Sequence, residues 1–430
     1  MTGALPEEVI SLIRRIGALA RSLGFKAYAV GGFVRDLILG VKNPDIDIAV
    51  EGDAIRVGRL LARELKASIV VYERFGTCSI MTKEKLKIDL ATTRRESYLK
   101  PAALPGVQFS SLKEDLSRRD FTINAMAVSI DKPTFGKLID FFDGMSDLGQ
   151  LRIRALHEGA FIDDPTRILR AVRFESRFGF RMDRNTEDLI KRAVIRSIFD
   201  MVSRQRMRDQ FILLLREREP VRALSRMAGF DGLKSIHPGI RFDKKIIRLC
   251  EAVSEICAAY EPSLCHKKTP DKWLVYLMAL FEHLTYSQVS AICREFVFKR
   301  SDSSRLLLYK KKAGLITASL SLRKDLAPSM IYRLLKPLSV EAILAIMARV
   351  TAAGPEAKAG LVRARIEAFV QNYSHTKLSI KGDDLKAMGL KGGPKYKLIL
   401  DKLLYSKIDG KLDEKSDELN YARALIDKIG

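Results

Sequence analysis

The sequence predicts an α+β protein, a small mixed β-sheet head followed by an all-α remainder, and three observations carry that expectation. β-prone runs and amphipathic segments alternate over roughly the first 150 residues. One such run ends in a glycine pair that turns straight into a helix, and the next short strand carries two acids on one face. Beyond about residue 154 the apolar spacing is helical almost throughout.

Residues 6–24, PEEVISLIRRIGALARSLG, space their apolar positions for a helix and stop at Gly24. The stretch Tyr28–Asp53, YAVGGFVRDLILGVKNPDIDIAVEGD, organises the rest of the chain. Its first strand ends at Gly31-Gly32, an amphipathic segment covers Phe33–Leu39, and a second strand carries Asp45 and Asp47 either side of Ile46. Strand side chains alternate faces, so these two acids project together and can share metal ions. Where a strand turns into a helix, residues without a Cβ let backbone N–H groups approach a phosphate, and the helix N-terminus adds favourable potential. Arg35, one turn further on, reaches the same polyanion. Gly-Gly alone reads better as a tight strand-to-helix turn. Gly-Gly, Arg35 and Asp-Ile-Asp together point to nucleotide chemistry.

Asp53–Leu65 is expected to be helical, and Ala67–Tyr72, Cys78–Thr82 and Lys87–Ala91 to be strands, the last with Asp89 between Ile88 and Leu90. Residues 94–111, RRESYLKPAALPGVQFSS, hold two prolines and little periodicity and read as a long loop. Glu114–Ala127, EDLSRRDFTINAMA, returns to helical spacing with Arg118, Arg119, Asp120 and Asn124. Leu138–Gly144 reads as the last strand and turn of the head.

Asp164-Pro165 is a helix start, Asp as N-cap and Pro at N1. Arg167, Arg170 and Arg173 recur every three residues, while Ile168, Leu169 and Val172 supply the buried stripe. Helices are expected at Asn185–Arg196, Ser203–Arg218, Lys244–Tyr260, Lys272–Leu284, Tyr286–Phe298, Ser303–Ala318, Met330–Leu335 and Val340–Ala352, with prolines between many of them. In Ile380–Leu404, Gly382-Asp383-Asp384 and Gly392-Gly393-Pro394 each precede a helix. Such turns suit RNA phosphates or simple helix-turn-helix packing, and the two acids read as caps. The expected organisation is a head at 1–153, a helical neck at 154–220, a body at 221–320 and a tail at 321–430.

A chain of 430 residues exceeds one ordinary domain. Its net charge of +23 is unevenly placed: residues 1–150 hold 22 Lys+Arg against 19 Asp+Glu, leaving 53 against 33 for the remainder. That asymmetry suggests a polyanion held mainly by the later part, with nucleic acid the leading candidate over a basic surface kept for solubility. Cys78, Cys250, Cys257, Cys265 and Cys293 lack paired CxxC spacing, so free thiols are expected rather than zinc. Arg14 and Arg15 interrupt the apolar residues near the start, and no run has membrane-spanning length, so a cytoplasmic protein without membrane partners is expected.

GGFVRD followed by Asp-Ile-Asp resembles the signature of the polymerase β nucleotidyltransferase superfamily and, more narrowly, the head shared by class II tRNA nucleotidyltransferases and bacterial poly(A) polymerases. RRDFTINAMA resembles that family's second motif, and DDPTRILRAVRF its nucleotide-recognition motif. The resemblance implies transfer of C and A residues from CTP and ATP to a tRNA 3′ end. In that scheme Asp45 and Asp47 hold two Mg²⁺ ions, and Asp89 stands where a third active-site carboxylate is usual. Gly31, Gly32 and Arg35 hold phosphates. Arg118 or Arg119 assists with Arg173, and Asp120, Asn124 and Arg170 belong to the nucleotide-binding set. Asp164 and Arg167 read the base, because a carboxylate plus a guanidinium complements the edges of cytosine and adenine but not those of uracil and guanine. Alternatives are an enzyme adding only A or only CC, a poly(A) polymerase, and a non-catalytic RNA-binding protein. The intact acid pair argues against the last.

A polyanion held by this charge is released by salt. The affinity of the full chain for RNA is expected to fall at least about tenfold between roughly 50 and 200 mM monovalent salt, read by filter binding or fluorescence anisotropy. A salt-independent affinity would remove the electrostatic reading.

Overall fold

The computed structural model describes residues 5–41, 45–97, 106–264, 269–322, 325–390 and 393–429. The chain divides into two compact units, Met1–Ser235 and Ile236–Gly430.

The first unit begins with α1 (Glu7–Ser22), which buries Ile10, Ile13, Ile16 and Ala20 at helical spacing. Strand β1 (Lys26–Val30), helix α2 (Gly32–Ile38), strand β2 (Asp45–Glu51) and helix α3 (Ala54–Leu65) come next. Asp53 caps α3 by accepting from the Arg56 amide at 2.9 Å. Strands β3 (Ser68–Tyr72), β4 (Thr77–Met81) and β5 (Lys87–Thr92) then form a meander. The chain returns with β5 beside β2, in parallel, bringing Asp47 opposite Asp89 and Asp45 opposite Lys87.

Two segments differ from the expectation. Residues 94–111 are not wholly a loop: β6 (Arg94–Ser97) and β7 (Gly106–Phe109) pair antiparallel as a separate ribbon, and 98–105 lie outside the described residues. Glu114–Ala127 is not one helix. Helix α4 (Leu112–Ser117), closed by a capping box between Ser111 and Glu114, stops before Arg118. A tight turn carries Arg118–Asn124, and β8 (Met126–Ser129) runs beside β1 with all four residues buried. With β9 (Leu138–Asp140) the head sheet has the order β3-β4-β5-β2-β1-β8-β9, in which β2 and β5 pair in parallel and the other neighbours antiparallel.

After α5 (Gly144–Gly149), strand β10 (Arg152–Ile153) pairs in parallel with β11 (Arg181–Met182). Between them lie α6 (Ala160–Asp163) and α7 (Thr166–Phe178). Asp164 is extended (φ −139°, ψ 95°), and its Oδ1 accepts from the Thr166 amide at 3.0 Å, as an N-cap does. Phe121, fully buried, meets Phe174 of α7 edge-on at 5.9 Å, so head and first neck helix share a core. The helices α8 (Arg184–Ile195), α9 (Arg204–Leu215) and α10 (Pro220–Gly229) complete this unit.

The second unit is helical. Helices α11 (Lys244–Leu264), α12 (Lys272–Leu280), α13 (Tyr286–Glu295), α14 (Arg300–Leu320), α15 (Pro328–Leu335), α16 (Val340–Ala353) and α17 (Glu356–Ala368) come first. Helix α16 is apolar nearly all round and is buried from Glu341 through Ala348. Helices α18 (Gly382–Ala387), α19 (Pro394–Ile408) and α20 (Lys415–Ile429) enclose a cluster of Ile380, Leu385, Ile399, Leu403, Ala422 and Leu425. Asp384 Oδ2 accepts from the Lys381 amide at 2.7 Å, the capping role expected of it, and Gly392 lies outside the described residues. Cys78, Cys250, Cys257 and Cys293 are buried free thiols, and Cys265 lies outside the described residues. No helix among the described residues is long and apolar enough to cross a membrane.

Two mid-helix glycines separate propensity from packing. A Cβ on Gly17 would lie 2.1 Å from the Ile130 carbonyl oxygen, whereas Gly314 has nothing within 4 Å. Gly314→Ala is expected to stabilise by about 0.5–1 kcal/mol, and Gly17→Ala to destabilise by about 1–3 kcal/mol despite the same gain in helix propensity, as measured by urea unfolding.

Candidate active site

A cleft of about 1100 Å³ opens in the first unit. Its sheet side presents Gly32, Asp45 and Asp47, the turn after α4 supplies Arg118, Arg119, Asp120 and Asn124, and α7 with its cap supplies Asp164, Arg167, Arg170 and Arg173. Of the residues expected from the sequence, Gly31 and Asp89 alone are outside this lining.

Gly31 adopts φ +69° and ψ −136°, where L side chains are strained. A Cβ there would come within 2.5 Å of Arg119 Nη1. The glycine therefore makes room for an arginine as well as for a turn. Arg35 lines the cleft as part of its floor. It is 4% exposed, donates to Asp36 Oδ1 (2.7 and 2.9 Å) and Asn124 Oδ1 (2.6 Å), and lies 5.0 and 4.6 Å from the ring centres of Phe174 and Phe178.

Asp45 and Asp47 share a face of β2, and register sets Asp89 beside Asp47. Burial pushes the Asp47 carboxyl up to about 6; Arg119 opposes this, while Asp89 and Asp45 add to it. Asp89 is held by Ser79 Oγ at 2.5 Å and Lys87 Nζ at 2.6 Å. Among the described residues no three acidic, histidine or cysteine side chains converge as a closed metal-ligand set. Asp45 and Asp47 still suit a hard divalent ion. They offer carboxylate oxygens on one face, a charge that is costly without a counter-ion, and an open side for phosphate and water oxygens.

Above the sheet, Asp115 is buried and pairs with Arg118 (2.7 Å) and Arg119 (3.1 Å). Burial pushes its carboxyl up, but the two guanidiniums prevail and hold it below the usual range. Arg118 also pairs with Glu96 at 2.8 Å, and Arg119 Nε is buried with no acceptor among the described residues. Asp120 accepts from Asn124 Nδ2 (2.9 Å) and Arg170 Nε (2.7 Å).

On the neck, Arg167 Nη2 is pinned at 2.7 Å to the Arg118 carbonyl. Asp164 Oδ1 accepts from the Thr166 amide and hydroxyl, and Oδ2 pairs with Arg206 at 2.9 Å. Arg173 pairs with Glu217 at 3.3 Å, and burial lowers its guanidinium to about 10. Phe174, the last residue of the DDPTRILRAVRF motif, also lines the cleft, as do Arg206, Gln210, Arg177 and Phe178, which no motif in the sequence marks. The arginine-rich run at 204–208 is the one local signal for Arg206. Eight arginines line the cleft against seven acids, so the site is dense in charge while remaining nearly balanced in itself.

The Poly A polymerase head domain family matches residues 27–154. An A-adding tRNA nucleotidyltransferase of Geobacter sulfurreducens is 37% identical across 99% of this chain and 48% of its own length, and one of Aquifex aeolicus is 35% identical across 85% and 43%. The chain thus spans about half the length of the curated relatives it matches. A solved Thermotoga maritima CCA-adding enzyme complexed with tRNA is 32% identical, with a TM-score of 0.77 over 100% of this chain and 97% of that one. Similarity of that extent, over both the head motifs and the helical remainder, means that the chain belongs to the family of class II tRNA nucleotidyltransferases and bacterial poly(A) polymerases.

Proposed function

We propose that this chain carries template-independent nucleotidyl transfer from CTP and ATP to the 3′ end of tRNA. One observation carries the reading: the acid pair Asp45 and Asp47 lines the same cleft as the base-reading candidates Asp164 and Arg167. The RNA 3′-hydroxyl loses its proton to solvent as its oxygen bonds to the α-phosphorus, the bond from that phosphorus to the oxygen bridging to the β-phosphate breaks, and pyrophosphate leaves. Two Mg²⁺ ions held by Asp45 and Asp47 would supply Lewis-acid activation and neutralise the leaving group. Arg119, with a buried Nε lacking an acceptor among the described residues, is the residue best suited to the triphosphate. Arg167 is fixed through Nη2 on the Arg118 carbonyl and Nη1 on the Ala160 carbonyl, leaving the other N–H donors of its guanidinium for a base acceptor, while Asp164 accepts from the exocyclic amine of C or A. Uracil and guanine would leave these groups unpaired, at about 1–3 kcal/mol each.

A second reading, addition of A alone, is favoured by similarity along 99% of the chain to an enzyme named A-adding. A time course on tRNA ending at its discriminator base, with CTP, ATP and Mg²⁺, tests both. Accumulation of CCA products is expected. Inertness there, with efficient extension of tRNA ending in CC, would establish the A-only reading, and no extension of any tRNA would remove both.

Asp47→Asn should abolish nucleotide addition and raise stability. With the folded carboxyl near 6 and the unfolded one near 4, the folded state holds the extra proton. Stability therefore falls as pH rises through that window, and the cost stays constant above it. The variant is expected to be about 1–2 kcal/mol more stable at pH 8, after allowance for partial exposure, with the gap closing toward pH 4 in thermal melts. Retention of more than about a tenth of the rate would remove Asp47 from the metal site.

A further inference from the structure

The face of the sheet that carries the acid pair also carries a cation. Lys87 stands on β5 directly opposite Asp45, two residues before Asp89, which stands opposite Asp47. Parallel register and the two-residue repeat of a strand put all four side chains on one face. The Lys87 ammonium lies 2.6 Å from Asp89 Oδ2, and the other oxygen of Asp89 is taken by Ser79 of β4. Lys87 keeps 41% of its side chain exposed, so it can leave without unpacking the core. Its ammonium is held more basic than usual, chiefly by the hydrogen bond to Asp89 and then by the charges of Asp89, Asp45 and Asp47. Three carboxylates on one face repel one another, and both Arg119 and this lysine act on Asp47 in the opposite sense.

We propose that Lys87 is a resident cation of the carboxylate site, occupying the positive-charge position beside Asp45, Asp47 and Asp89 when no divalent ion is bound and thereby setting the ion concentration at which the site fills. This rests on the reading of Asp45 and Asp47 as the metal-binding pair. A divalent ion entering there meets a positive charge already in place, and its affinity is weaker by the work of approaching or displacing it. A unit charge a few ångströms away changes ion affinity by several-fold even in a strongly screening medium. The arrangement has a counterpart in stability, since removing the lysine leaves the carboxylates to repel.

The test uses the full chain, without nucleotide or RNA, and Mn²⁺ alone as the probe, its free concentration measured by electron paramagnetic resonance. Lys87→Gln is expected to bind Mn²⁺ at least about threefold more tightly than the parent, with Lys87→Arg within about twofold of it. Lys83→Gln, an exposed lysine in the same β4–β5 turn, should leave the affinity unchanged. In the metal-free state Lys87→Gln should melt at a lower temperature, and Mg²⁺ should raise its melting temperature more than that of the parent. Unchanged or weaker Mn²⁺ binding by Lys87→Gln overturns the proposal, as does equal tightening by Lys83→Gln. Asp47→Asn separates the two levels. If Mn²⁺ binding ignores that change, the metal-binding pair itself is wrong and this inference falls with it; if binding needs Asp47 but ignores Lys87, the inference alone is overturned.

Discussion

Asp120 is a charge that cannot be buried alone. Its carboxylate is 5% exposed, and removing an ion from water to that extent costs several kcal/mol unless partners compensate. Arg170 of α7, Asn124 and the Phe121 amide all donate to it, and the far side of Asn124 accepts from Arg35 of α2. One buried negative charge thereby ties the helix after the glycine turn, the turn after α4 and the first neck helix into a single polar chain. Phe174 and Phe178, from the same neck helix, cover Arg35. The spacing across the cleft between α2 and α7 depends on this chain, because the two helices cannot shift independently without stranding an ion.

The same economy governs the rest of the cleft. Nearly every arginine that lines it has an acid or carbonyl partner, so the fold tolerates a dense basic site without large self-repulsion. Asp47 is the exception, a carboxylate desolvated beside two others. Destabilised groups of this kind are common where chemistry demands charge in place before the substrate arrives.

Local rules make much of this legible in the sequence. Asp-Ile-Asp on a strand, the glycine at the turn (Gly31) and the Asp164-Pro165 helix start rest on side-chain alternation, backbone sterics and capping, and each is readable from a few adjacent residues. Met126 and Ala127, the start of β8, read wrongly as helix because a strand enclosed on both sides has no polar alternation to betray it, and its apolar run joins the helical pattern of the segment before. Arg94–Ser97 and Gly106–Phe109 read wrongly as loop for the opposite reason: none of their residues is fully buried, so nothing in their pattern reports pairing. Arg206 meets Asp164 across 42 positions, and Lys87 stands opposite Asp45 only because β5 lies parallel to β2. Such partnerships come from topology and have no local signature.

Strand order has a consequence for how the protein is made. Strand β1 leaves the ribosome early and pairs with β2 soon after, but its other neighbour, β8, is about a hundred residues further along. At ordinary elongation rates that flank stays open for about 5–20 s, presenting unpaired backbone groups on a strand that the finished head buries almost completely. The nascent head is thus most exposed to wrong pairing just when its acid pair has already assembled, and a chain that stalls before Met126 would carry both acids on a sheet with an unguarded edge.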